Sequence, residues 1–200
     1  MPLSAIIFKE GNFTFMVYMF LANGFEETEA ICPLDLLRRA GADVRTVAVG
    51  TETLAVTGSH GITVMADVSA ENLKLNDIEM VILPGGMPGS DNLFASETVK
   101  SALAEAKKSS AYIAAICAAP YILGRLGYLD GHRAVSYPGY EKELNGAVFT
   151  DAPVVTDGTI ITARAAGSAL PFGLALVAAL FGQERADAIA DAVIYQTTSN

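Results

Sequence analysis

Short apolar runs alternate along this chain with segments of helical periodicity, and that alternation leaves few architectures open. Phe13 to Ala22 is an apolar run closed by Asn23-Gly24, and Glu26 to Ala40 follows as a helix. Its inward face carries Leu34, Leu37 and Ala40, and Arg38-Arg39 occupy its last turn before Gly41. Val44 to Val49 is the next run. After the turn residues Thr57-Gly58-Ser59, Ile62 to Met65 alternates as a half-buried strand, which predicts a small hairpin insertion. Met80 to Leu83 ends in Pro84-Gly85-Gly86, and Glu97 to Lys108 has helical spacing with Val99, Leu103 and Ala106 inward. Ala111 to Ile116 leads through Cys117 into a short helix reaching about Leu126. Val154 to Thr162 predicts a hairpin turning at Asp157-Gly158, and Ser168 is the expected N-cap of a long helix to about Phe181. A last helix spans roughly 184–195. Nearly continuous apolar strands interleaved with helices require a mostly parallel sheet covered on both faces.

The 200 residues suffice for one domain with a self-supporting core, and no linker, repeat or low-complexity segment marks a boundary. The segment before about Phe13 reads as an N-terminal extension. Its apolar stretch Ala5 to Phe8 breaks at Lys9-Glu10-Gly11-Asn12, without a basic flank or a small-residue cleavage site, so no export signal is expected. No uncharged apolar run approaches the roughly 20 residues that a membrane helix needs. The net charge of −9 comes from acids and bases spread along the chain. No Lys/Arg cluster is available to follow a phosphate backbone, so nucleic acid is not an expected partner. Two cysteines, Cys32 and Cys117, can build neither a disulfide framework nor a four-ligand zinc site, which suits a reducing cytoplasm.

In an open parallel sheet, ligands bind outside the carboxyl ends of the strands. Three such ends carry chemistry: Gly24 to Glu29, Pro84-Gly85-Gly86, and Ile116 to Pro120. Cys117 lies between a strand and a helix, next to Ala118 and Ala119, small enough for a sharp strand-to-helix turn. Helix amides there favour a thiolate, so a depressed cysteine pKa is expected. The Gly86 and Ala118 amides could converge on one spot as an anion pocket. Glu26, Glu27 and Glu29 open a helix, where acids are ordinarily solvated, but one facing the cysteine from an apolar crevice would stay protonated. Spacing does not decide which one points inward. Cys32, between Ile31 and Pro33, reads as packing. His132, alone in a polar loop, reads as solvated or structural.

Gly24-Phe25-Glu26-Glu27-Thr28-Glu29, Leu83-Pro84-Gly85-Gly86 and Ala114 to Pro120, in this order, resemble the ThiJ/PfpI (DJ-one) superfamily and its DJ-one/YajL-like branch. The segments Pro33 to Gly41 and Thr162 to Ser168 resemble it too, so the likeness runs from about Phe15 onward. It implies a flavodoxin-like three-layer sandwich with a nucleophile-elbow cysteine at Cys117, a protonated partner carboxyl at Glu29, and Gly86 and Ala118 as the anion pocket. Gly85 would lie in the second shell. A histidine common near the family's cysteine is replaced by Tyr137. An arginine that reaches the site across a dimer is replaced near Ser59 by His60. The protease-like branch has a histidine after the cysteine, where this chain has Ala118, which argues against peptidase chemistry.

The resemblance implies a glyoxalase III-like or deglycase-like activity on methylglyoxal-type dicarbonyls or glycated adducts, with no cofactor or metal, in a cytoplasmic homodimer. A second reading is a redox-responsive stress or chaperone protein in which Cys117 is oxidised to a sulfinate.

Overall fold

A computed structural model describes residues 16–195; the N-terminal extension expected before Phe13 lies outside this range. Within it, β1 (Met16–Ala22), α1 (Glu27–Ala40) and β2 (Val44–Val49) open the fold, followed by β3 (Ala55–Thr57), β4 (Thr63–Met65) and β5 (Val68–Ser69). Then come β6 (Ile78–Leu83), α2 (Gly89–Ala95), α3 (Glu97–Lys108), β7 (Tyr112–Ile116) and α4 (Pro120–Arg125). β8 (Arg133–Ala134), β9 (Val148–Phe149), β10 (Val154–Asp157), β11 (Ile160–Ala163), α5 (Ala169–Phe181) and α6 (Gln183–Ala192) complete it.

The main sheet has seven strands in the order β10-β11-β7-β6-β1-β2-β5, and all its pairs are parallel except β10 with β11. Strand residues alternate between two cores, as the period of two demands. Met19, Leu21 and Ile82 face α1, α5 and α6, whereas Phe20, Val81 and Leu83 face α3 and α4. The three-layer α/β sandwich is therefore built as the apolar runs required. The strand order reverses its direction between β1 and β6, which opens a crevice at their carboxyl ends.

The predicted insertion is the antiparallel hairpin β3–β4. Three local expectations need correction. Asp157 pairs with Ile160, so the two-residue turn is Gly158-Thr159 and Asp157 is the last strand residue. Its carboxylate instead accepts the Arg133 amide at 2.8 Å. Ser168 precedes α5 but makes no side-chain capping bond, because residues 166–168 already wind as a 3-10 turn that runs into the helix. The final helix stops at Ala192, short of Tyr195.

Candidate active site

Cys117 follows β7 directly, at the point where the chain must leave the sheet and turn into α4. Its φ of +66° lies in the left-handed region, which costs a non-glycine residue energy and is kept only under constraint. The constraint is visible on both sides of the residue. The Cys117 amide donates to the Ala163 carbonyl at 2.9 Å, and the Cys117 carbonyl accepts the Tyr137 amide at 2.7 Å. The side chain is thereby held half-buried at the crevice, with the Gly86 and Ala118 amides near enough to its sulfur to lower the thiol pKa.

Glu29 enters from the other wall. As the third residue of α1 it points under the sheet ends and is only 1% exposed. Its Oε2 accepts the Gly85 amide at 3.1 Å, and the carboxyl lies near enough to the Ala166 amide and the Cys117 side chain for both to lower its pKa. Gly85 is what lets the walls meet. A Cβ there would stand 2.6 Å from the Cys117 Cβ and would run into the Glu29 carboxylate. Gly86, at φ +91°, bends the loop so that it passes over the Glu26 amide and the Gly24 carbonyl without a side chain.

Burial pushes the Glu29 carboxyl up to about 7, so it carries a proton through much of the neutral range. The Cys117 thiol is pushed up to about 12, first by burial and then by the charge of Glu29 and their hydrogen bond; the Ala118 and Gly86 amides pull it down. A depressed cysteine pKa was the expectation, and the direction is opposite. Helix α4 has six residues and contributes a weak dipole, whereas the crevice removes the sulfur from water. The two groups titrate as a pair. With the proton on Glu29, its charge no longer opposes the thiolate and its O–H donates to the sulfur.

Glu26 and Glu27 are not the solvated acids that their composition suggested. Glu26 is the N-cap of α1, and its carboxylate accepts the Glu29 amide at 2.6 Å. Glu27 is 6% exposed, and its Oε1 accepts the His60 amide at 2.8 Å and the Ile62 amide at 3.3 Å. Its Oε2 takes the Ser59 hydroxyl and lies 2.8 Å from the His60 ring. Burial opposes its ionisation, but these hydrogen bonds outweigh it and hold the carboxyl at about 2.

Candidate ligand atoms of Glu26, Glu27 and His60 lie within 4.8 Å of one another. Each carboxylate is already engaged with the chain, so the trio acts as a tether for the hairpin tip. Within this chain His60 bonds Glu27 and is largely exposed. Tyr137 holds the Cys117 backbone through its amide, while its side chain is 47% exposed. His132 lies 3.5 Å from Asp157, outside these contacts, and Cys32 is half-buried with burial raising its thiol pKa.

The Ala166 amide is the partner that sequence reasoning missed. It follows β11, a fourth strand ending at the crevice, and the run Thr162 to Ser168 was its signal.

A doubly covered parallel sheet that offers a strained cysteine against a buried carboxyl and two amides defines a class of α/β proteins built around one nucleophile elbow. The chain belongs to the DJ-1/PfpI family, whose model matches residues 16–179. It is 36% identical to protein dj-1beta of Drosophila melanogaster over 87% of this chain and 94% of the fly protein. Protein DJ-1 homolog A of Arabidopsis thaliana is 33% identical over 92% of this chain, which spans about half of that longer relative (47%). A Pyrococcus abyssi protein named a deglycase is 33% identical over 76% of this chain and 90% of its own. Among solved structures, oxidized Toxoplasma gondii DJ-1 superposes with a TM-score of 0.87 at 33% identity, covering 92% of this chain and 100% of that one. No helix among the described residues is long and apolar enough to cross a membrane.

Proposed function

We propose that this protein is a cysteine-dependent, cofactor-independent enzyme that acts on methylglyoxal-type dicarbonyls as a glyoxalase III-like or deglycase-like catalyst. The observation that carries the reading is that the buried Glu29 carboxyl and the Cys117 side chain meet over Gly85, beside the Gly86 and Ala118 amides. The archaeal relative named a deglycase adds support.

The Cys117 thiol passes its proton to ionised Glu29 as the sulfur adds to the aldehyde carbon of methylglyoxal, forming a C–S bond while the carbonyl electron pair moves to oxygen. The two amides receive that oxyanion, and the Glu29 proton neutralises it. Ionised Glu29 then removes the hydrogen from the former aldehyde carbon, the freed electron pair forms an enediolate, and the proton returns to the neighbouring carbon while the hydroxyl proton passes to the neighbouring oxygen, leaving a thioester carbonyl. One carbon is oxidised and the other reduced, so no outside electron acceptor is needed. Water cleaves the resulting thioester, giving lactate and the free thiol. Ala118 supplies no side-chain base beside the sulfur, so peptidase chemistry is not part of the proposal.

Lactate formation from methylglyoxal by purified protein tests this. Turnover is expected in the parent and is expected to vanish in Cys117→Ser and Glu29→Gln; a parent without turnover, or full turnover in Cys117→Ser, overturns it.

The second reading, oxidation of Cys117 to a sulfinate, is favoured by the same donors, which match the oxygens of that group. The oxidized state of the Toxoplasma gondii neighbour accords with it. Intact mass after peroxide titration should gain two oxygens that Cys117→Ser does not gain. A cytoplasmic homodimer completes the proposal, and light scattering at micromolar concentration should give twice the chain mass.

A further inference from the structure

The anion pocket has two halves on separate elements. The Ala118 amide belongs to the elbow that leads into α4, and the Gly86 amide belongs to the loop that leads into α2. Nothing in the covalent chain fixes their separation, since 30 residues lie between Gly86 and Cys117. Two side chains of α4 reach α2: Arg125 stands 5.6 Å from the Phe94 ring, and among the described residues Tyr121 makes the hydrogen bonds between the two helices. Tyr121, on α4 and four residues after Cys117, is 2% exposed, and its hydroxyl is 2.7 Å from Asp91 Oδ1 and 3.2 Å from the Ser90 carbonyl, to which it can also donate. Both acceptors are on α2, and the Ser90 amide donates back to the Gly86 carbonyl at 2.9 Å. Beside the β6–β7 pairing, which sets Leu83 against Ala115, the path from Cys117 to Gly86 therefore runs through this phenol.

The same ring is held from its other sides. It stacks on Tyr140 at 6.1 Å between centroids, meets Phe94 edge-on at 5.7 Å, and lies 4.9 Å from the Arg125 guanidinium. The Tyr140 amide donates to the Tyr137 carbonyl, and the Tyr137 amide to the Cys117 carbonyl. A ring packed this tightly cannot swing, so its hydroxyl marks a fixed distance between α4 and α2.

We infer that Tyr121 is a positioning residue whose hydroxyl sets how far the Gly86 amide lies from the Cys117 sulfur. It touches neither the sulfur nor Glu29, and it acts through Ser90 and the Gly86 loop. The inference deepens the proposed nucleophilic role of Cys117 but does not need the dicarbonyl substrate, because it concerns stabilisation of the thiolate.

The test is the rate of iodoacetamide alkylation of Cys117 against pH, in a Cys32→Ser background so that one thiol reports. Tyr121→Phe removes only the hydroxyl. Its alkylation profile is expected to move up by about one pH unit, equivalent to roughly tenfold less thiolate below the midpoint. Arg125→Met is the packing control: it loses the contacts with the Tyr121 and Phe94 rings and the Glu143 ion pair but keeps the phenol, so its thermal midpoint should fall while its profile stays on the parent's. If Tyr121→Phe overlays the parent, or if Arg125→Met shifts the profile as much, the hydroxyl is structural and the inference is wrong. Should Tyr121→Phe not fold, Tyr121→Met, which likewise removes the donor to the Ser90 carbonyl, must produce the same upward shift. The outcome is independent of lactate assays: a shifted profile without dicarbonyl turnover would retain Tyr121 and refute only the proposed substrate.

Discussion

Glu27 Oε2 and His60 Nδ1 lie 2.8 Å apart, and this contact fastens the tip of the β3–β4 hairpin to the first turn of α1, two residues before Glu29. Glu27 is held at about 2, below its ordinary 4.5, so its stabilising effect is complete above 4.5 and is lost as pH falls toward 2. The His60 pKa is raised above 6.5 by the Glu27 hydrogen bond and charge, so its effect is complete below 6.5 and is lost as pH rises through the raised value. The tether is strongest between these ordinary values. Thermal midpoints against pH should show His60→Ala reducing both falls, the acid one because Glu27 loses a hydrogen bond and the alkaline one because the raised imidazole is gone. Glu27→Ala, which strands two loop amides, should cost about 1–3 kcal/mol near pH 6.

Glu29→Gln should separate stability from turnover. The folded pKa of Glu29 is raised from 4.5 to about 7, so the associated stability is complete below 4.5 and is lost as pH rises through 7. The amplitude is roughly 3 kcal/mol. Urea unfolding of the parent should therefore weaken across this window, while Glu29→Gln stays flat and exceeds the parent at pH 7.5. Methylglyoxal turnover should be lost in the same variant. Glu26→Gln and Glu27→Gln should keep turnover and lose stability instead, since one caps α1 and the other ties the hairpin.

Gly85→Ala is expected to fold but to force the Glu29 carboxyl and the Cys117 side chain apart, because the new methyl would occupy the space between them. A displacement of about 1 Å at reacting groups lowers rates on the order of a hundredfold. Steady-state turnover at saturating methylglyoxal is the readout. Retained activity would show that the two walls need not approach so closely.

The left-handed backbone at Cys117 predicts that Cys117→Gly is more stable than Cys117→Ala by about 1 kcal/mol, although glycine ordinarily loosens a chain. Chemical denaturation of both variants measures this directly. Equal stabilities would mean that the elbow carries no strain.

How much of this was legible beforehand depended on the range of the interactions. Strand and helix positions follow from local periodicity, and so the sandwich, the hairpin insertion and the elbow at Cys117 could be read from the order of apolar runs and the small residues around them. The family motifs singled out Glu29 among three similar acids, which spacing alone could not do. Turn details proved less legible: Asp157 was drawn into its strand because its carboxylate had the Arg133 amide to accept.

The sequence by itself determined which segments become strands and helices, because apolar spacing and chain stiffness act between neighbours. The protonation states of Glu27, Glu29 and Cys117 were decided only by the tertiary structure. Glu27 and Glu29 have the same side chain two residues apart, yet one is held at about 2 and the other at about 7. Loop amides of the hairpin solvate the first, while the crevice beside β6 and β7 strips water from the second. Desolvation and hydrogen bonding depend on which distant segments close over a group, and only the folded chain sets that.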